Sequence, residues 1–341
     1  MTANLDPEAR DLLDVIHATG ESPVYTLSVA DARERTRAIA RNTSLSLDVE
    51  DILLPAPTGA LRLRLHRPSD GPLPVALFLH GGGWTLHDVR TNDEVCQRLA
   101  KRSGWLFASL DYRLAPEHKY PAAIEDAYRA FRWLTDNAAS IGCHSTCHAV
   151  VGESSGGTIA ASLTLLLRDC GAPMPCGQIV AYPAMAPLDG WPSYTERGSG
   201  YVLDRSLMEW FFGHYLPPTW NERDPYLFPL AEKDFSGLPP TLVVTAEFDP
   251  LRDEGIAYVR KLVDAGVSVE HLHADDQMHG FLQAAEVITK ARAVSDRLAD
   301  ALACWRAQYT SGAAVQKSGT VSKYRPSGSL ERASTNASWG S

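Results

Sequence analysis

Ala149-Val150-Val151-Gly152-Glu153-Ser154-Ser155-Gly156-Gly157 is the stretch on which the fold turns. Its first residues are the end of a short apolar run, and Ser155 to Arg168 carries a helical pattern. A serine held in a sharp turn between strand and helix, with small residues on both sides, has its hydroxyl raised above a sheet where it can act as a nucleophile. The plainer alternative is a glycine-rich helix start in which Ser154 only caps the helix. The strand before and the helix after favour the first reading.

Outward from this turn the chain alternates. Val75–Leu79, Leu106–Leu110, Ile179–Tyr182 and Leu242–Thr245 are further continuous apolar runs, as expected of strands buried on both faces of a parallel sheet. Ala122–Thr135 and Asp253–Ala265 read as helices between them, and Leu61–Leu65 alternates with period two as a half-buried strand. The βαβα order predicts an α/β fold with a mainly parallel central sheet flanked by helices. In the last helix Val287, Ile288, Ala291, Val294, Leu298, Leu302 and Trp305 share one face. Residues 1–44 read as helices, with Leu5, Leu12, Leu13 and Ile16 at helical spacing. Residues 187–226 are crowded with aromatics and too long for a simple crossover, which fits either an inserted lid or extra core helices. Residues 310–341 are rich in Ser, Gly and Thr, and a disordered tail is expected there.

Composition narrows the partners. The chain has 341 residues, 45% hydrophobic and 21% charged, within the ordinary range for folded proteins. Its net charge is −9, and the C-terminal segment is basic, so the body is more acidic still. Acidic surface disfavours nucleic acid and anionic membranes. Six cysteines are too few for a disulfide scaffold, no signal peptide is read at the N-terminus, and no apolar run suits a membrane span. A cytoplasmic location is the expectation.

Four further segments carry chemistry. His80-Gly81-Gly82-Gly83-Trp84 closes the Val75–Leu79 strand, and backbone N–H groups exposed by glycines can stabilise a developing oxyanion. A phosphate cradle is disfavoured, because neither the Walker lysine nor a G-x-G-x-x-G spacing is present. A nucleophilic serine needs a base and a carboxylate to orient it. Asp249 follows the Leu242–Thr245 strand, and His279 precedes the last helix, both in loops where an open parallel sheet places its working residues. The rivals Asp253 and Glu254 read as first-turn helix residues, and His271 and His273 as packing or surface residues of a strand. Cys143-His144-x-x-Cys147-His148 invites a zinc reading, but the spacing matches no standard finger, and free thiols in a turn are the expectation.

Together these motifs resemble the bacterial hormone-sensitive-lipase-like serine esterases of the α/β-hydrolase fold. The likeness spans roughly residues 45–305 and also rests on Asp111-Tyr-Arg-Leu-Ala-Pro-Glu117, with Tyr120-Pro-Ala-Ala123. It implies Ser154 as nucleophile, His279 as base and acid, and Asp249 as orienting carboxylate. It implies an oxyanion hole of the Gly81, Gly82 and Ser155 N–H groups, and a helical cap built from residues 1–44 and 187–226 on a catalytic domain of residues 45–309. Trp84, Tyr182 and Phe281 are the expected pocket residues. The implied substrate is a small carboxylic ester, short-chain or aryl, with no cofactor or metal and a homodimer plausible. An amidase, lactonase or deacetylase would use the same triad; a lipase acting on aggregated lipid, or a non-catalytic receptor, fits the motifs less well. In the family the turn usually reads Gly-Asp-Ser-Ala-Gly-Gly; here Glu153 and Ser155 stand in place of Asp and Ala. Asp111 and Arg113 are expected in buried polar contacts.

Overall fold

The computed structural model describes residues 4–40, 46–56, 59–311 and 320–324. The elements run in the order α1 Pro7–Ala18, α2 Val29–Ala40, β1 Val49–Ala56, β2 Gly59–His66, β3 Leu73–Leu79, α3 Asp93–Ser103, β4 Leu106–Asp111, α4 Ala122–Asn137 and β5 Cys143–Glu153. There follow α5 Ser155–Asp169, β6 Gly177–Ala181, α6 Pro192–Glu196, α7 Arg205–Tyr215, β7 Thr241–Phe248, α8 Arg252–Asp264, β8 Val269–Met278, α9 Thr289–Ser311 and β9 Thr320–Tyr324. The sheet order is β1-β2-β4-β3-β5-β6-β7-β8-β9. Strand β2 runs antiparallel to β1 and β4, and all other neighbours pair in parallel.

The apolar runs become the central strands because residues alternate between two covered faces. Leu77, Leu79, Leu110, Val150, Val180 and Val243 join one core with α4, α5 and α8. Phe78, Phe107, Val151, Ile179, Val244 and Leu272 join the opposite core with α3 and α9. Helix α1 belongs to this second core through Ala9 and Leu13, with Leu5 just before it, and the Asp6 side chain caps it by accepting from the Glu8 and Ala9 N–H groups.

Helix α2 lies on the other side. Its Arg33 donates to the carbonyls of Thr85 and Ala115 and pairs with both carboxylate oxygens of Glu117 at 2.8 Å. The 3-10 turn Val24–Thr26 touches α7. Helix α7 comes from the aromatic segment and sets Phe211, Phe212 and Tyr215 into the first core. The N-terminal segment and the 187–226 segment therefore meet above the glycine loop that follows β3. Arg113 grips the buried Asp126 through two contacts of 2.8 Å, as expected of a brace. Asp111 differs: it lines a surface cavity of about 480 Å³ with Arg37, Arg62 and Arg90.

The tail expectation needs correction. Helix α9 runs to Ser311, and Thr320–Tyr324 adds a parallel strand along β8, with His271 opposite Val321 and Ala274 opposite Tyr324. The outer edge of β8 offers unpaired backbone groups, and Thr, Val and Tyr are strand-forming residue types. The rest of the expected tail lies outside the described residues.

Candidate active site

Strands β3 and β5 are neighbours with Leu79 opposite Gly152, so the glycine loop and the serine turn leave the sheet side by side. Because β4 and β5 lie on opposite sides of β3, the crossovers diverge there and open a crevice at the carboxyl ends of the strands. Asp249 follows β7 and His279 follows β8, at that same edge.

The serine turn is tight. Ser154 has φ 52° and ψ −126°, a conformation that costs a non-glycine residue on the order of 1–3 kcal/mol and persists only where the surroundings enforce it. The enforcement is visible at its flanks. A Cβ at Gly152 would lie 2.2 Å from the Gly156 carbonyl oxygen, and one at Gly156 would lie 2.0 Å from that of Leu79. The Ser154 N–H donates to the Ala181 carbonyl at 2.8 Å, which ties the turn to β6.

Ser154, His279 and Asp249, widely separated in sequence, form one chain of contacts. His279 Nε2 is 2.9 Å from Ser154 Oγ, and Nδ1 is 2.8 Å from Asp249 Oδ2. The other Asp249 oxygen accepts the Leu251 N–H at 2.8 Å. A carboxylate at Nδ1 requires the proton there, which leaves Nε2 as the acceptor facing the serine hydroxyl. Asp249 is fully buried, and His279 is 8% exposed.

The glycine loop lies opposite. Gly82 and Gly83 have φ of 99° and 58°. The Phe211 ring sits over Gly83, where any Cβ would overlap it at 2.2 Å. Among the described residues no protein acceptor takes up the N–H groups of Gly82, Gly83 or Ser155. Ser155 opens α5, where the first N–H groups have no partner within the helix. Gly81 behaves differently from the expectation: its N–H is directed at the Glu153 carboxylate, because the Glu153 side chain folds back beneath the loop. His80 is fully buried, stacked on Tyr112 with ring centres 4.2 Å apart, and burial lowers its pKa to about 4. It is therefore neutral, and structural.

The expected pocket residues are closely packed. Trp84, Tyr182 and Phe281 are 2%, 1% and 1% exposed, so they offer almost no open surface to a substrate. Trp84 stacks on Tyr215 with ring centres 4.3 Å apart and planes 4° apart. Tyr182 meets His279 edge-on at 4.8 Å and Phe281 at 5.9 Å. The rivals take structural roles, as the sequence suggested. Glu254 accepts the N–H groups of Met185 and Ala186 at 2.5 and 2.7 Å, and Asp253 accepts that of Ser193 at 2.9 Å. His271 and His273 both bond Thr245 Oγ1.

The Cys/His cluster is dispersed. Cys143 packs in one core and Cys147 in the other. Cys147 Sγ is 3.6 Å from Cys176 Sγ, and the His148 ring meets Phe131. Among the described residues no three His, Cys, Asp or Glu side chains are gathered to hold a metal ion, and no helix is long and apolar enough to cross a membrane. Sequence reasoning missed Gln283, whose amide donates to Glu153 from 130 residues away, and no local signal marks it.

Comparison with known proteins identifies the family. A family model described as alpha/beta hydrolase fold matches residues 76–283. The chain is similar to the carboxylic ester hydrolase LipN of Mycobacterium tuberculosis, 36% identical over 87% of this chain and 82% of that protein. It is similar also to carboxylesterase NlhH of the same organism, 40% identical over 66% of this chain and 72% of that one. Among solved structures, the hyperthermophilic esterase from the archaeon Pyrobaculum calidifontis superposes with a TM-score of 0.84 at 37% identity, over 89% of this chain and 99% of its own.

Proposed function

Since the chain belongs to the hormone-sensitive-lipase-like carboxylic ester hydrolases of the alpha/beta hydrolase fold, we propose that it cleaves small carboxylic esters through Ser154, His279 and Asp249. The observation that carries this reading is the unbroken relay from Ser154 Oγ through the imidazole to Asp249, with contacts of 2.9 and 2.8 Å.

His279 Nε2 takes the serine proton as Oγ attacks the ester carbonyl. Charge moves to the carbonyl oxygen, and the N–H groups of Gly82, Gly83 and Ser155 are free to receive it. This reading takes Gly83 in place of the expected Gly81, whose N–H is directed at the Glu153 carboxylate. His279 then protonates the departing alcohol, and a water molecule repeats the sequence on the acyl-enzyme. Asp249 stabilises the imidazolium and keeps the tautomer fixed.

The substrate class rests on the relatives' names and on the site's roof. Residues 1–44 and 187–226 act as a cap, a reading supported by the contact of the Val24–Thr26 turn with α7 and by Phe211 over Gly83. An aromatic roof this close to the loop suits short acyl chains or small aryl groups. Ser154→Ala is expected to lower kcat on p-nitrophenyl acetate by about 10⁴-fold or more and to abolish labelling by a fluorophosphonate probe. Retention of most activity would overturn the assignment. Matched acetyl esters and acetamides, compared by kcat/KM, test the ester preference.

A further inference from the structure

The serine turn carries a buried acid for which the reaction above has no use. Glu153 ends β5 and is 3% exposed. Its Oε2 accepts the Tyr182 hydroxyl at 2.7 Å, and its Oε1 accepts the Gln283 amide. The Gly81 N–H is directed at the same carboxylate. The groups that bond it can all donate to a carboxylate, while burial, the largest influence, raises its pKa above the usual carboxylate value. Tyr182 in turn is held on a backbone of φ 34°, with its N–H on the Val244 carbonyl at 2.7 Å. Its ring is the edge-on neighbour of His279.

We propose that Glu153 is a positioning residue for the reaction: its carboxylate fixes the Tyr182 ring against the His279 imidazole and tethers the first glycine of the oxyanion loop. One side chain then sets the registry of the base and of the oxyanion donors together. The inference rests on the assignment of Ser154 and His279 given above. A longer acid than the family's usual Asp suits the task, because the carboxyl must reach past the turn to Tyr182 and Gln283.

The charge has a second effect. Glu153 and His279 sense each other electrostatically, so a carboxylate there favours the imidazolium formed as the serine loses its proton. Asp249 faces the same imidazole directly, and Tyr182 senses both acids. Cys96 and Tyr112 face Glu153 from α3 and from the residue after β4, with thiol and phenol both pushed up by burial and neutral at working pH.

The test measures pH profiles of Glu153→Gln, Glu153→Asp and Tyr182→Phe on p-nitrophenyl acetate, with fluorophosphonate labelling of the wild type alongside. Glu153→Gln is expected to lower kcat on the order of tenfold to a hundredfold with little change in KM, the scale of a small misplacement at the reacting centre. It is also expected to move the acidic limb of kcat/KM to lower pH. Glu153→Asp should restore the limb more than kcat. Tyr182→Phe should lower kcat, and combining it with Glu153→Gln should add little, since both act on the same contact. Wild-type kcat and an unmoved limb in Glu153→Gln would overturn the proposal, as would fully multiplicative losses in the double variant. Should Glu153→Gln fail to fold, an unchanged kcat in Tyr182→Phe overturns it alone. If the wild type itself resists the probe, the assignment of Ser154 fails instead.

Discussion

Glu254 illustrates what one buried side chain does outside catalysis. It sits fully buried at the start of α8, accepts two backbone N–H groups from the loop after β6, and its pKa is pushed up to about 8 by burial. In the unfolded chain the same acid loses its proton near 4.5. Between those values the native state holds a proton that the unfolded state has released, so stability falls as pH rises. Glu254→Gln keeps an oxygen for both N–H groups and removes the titration. Its thermal midpoint, relative to wild type, is expected to improve steadily from pH 5 to pH 8; a constant difference would show that Glu254 does not titrate in this range. The residues proposed to react were legible in the sequence because Ser154, Asp249 and His279 each follow a recognisable strand. The partners of Glu153 were not, because Tyr182 and Gln283 lie 29 and 130 residues away in sequence.

At the scale of elements, the junction of α5 with β3 is the tightest fit near the site. A methyl group at Gly156 would collide with the carbonyl oxygens of Leu79 and His80, at 2.0 and 2.5 Å, and backbone cannot swing aside as a side chain can. Gly156→Ala is therefore expected to destabilise the fold on the order of 3 kcal/mol, measured by urea unfolding, and to lower kcat by tilting the helix that presents the Ser155 N–H. Wild-type values for both would contradict the packing described. The central strands were readable because both faces are apolar. Strand β1 was not, since only Leu54 of its residues is buried and no alternation results. Helix α3 escaped notice because its apolar stripe, Val95, Cys96, Leu99 and Ala100, is short and is flanked by the buried polar residues Asp93, Gln97 and Ser103. Asp93 is in its place for a reason: it binds His66 and Arg64 of β2, both at 2.9 Å.

Across the whole molecule, the sheet closes on one side with a strand that composition had disguised. Thr320–Tyr324 is too short, and too embedded in small polar residues, to stand out in the sequence, and it pairs only because β8 leaves an edge to be covered. Truncation after Ser311 is expected to leave kcat/KM on p-nitrophenyl acetate unchanged while lowering the onset of aggregation on heating, followed by light scattering. A loss of kcat/KM would mean that the terminal segment supports the site. At the opposite end of the design, the stacked rings of Trp84 and Tyr215 join the glycine loop to α7. Two aromatic chromophores in face-to-face contact make a built-in optical gauge: their coupled near-ultraviolet circular dichroism vanishes when the roof lifts from the loop, whether or not the sheet beneath has begun to melt.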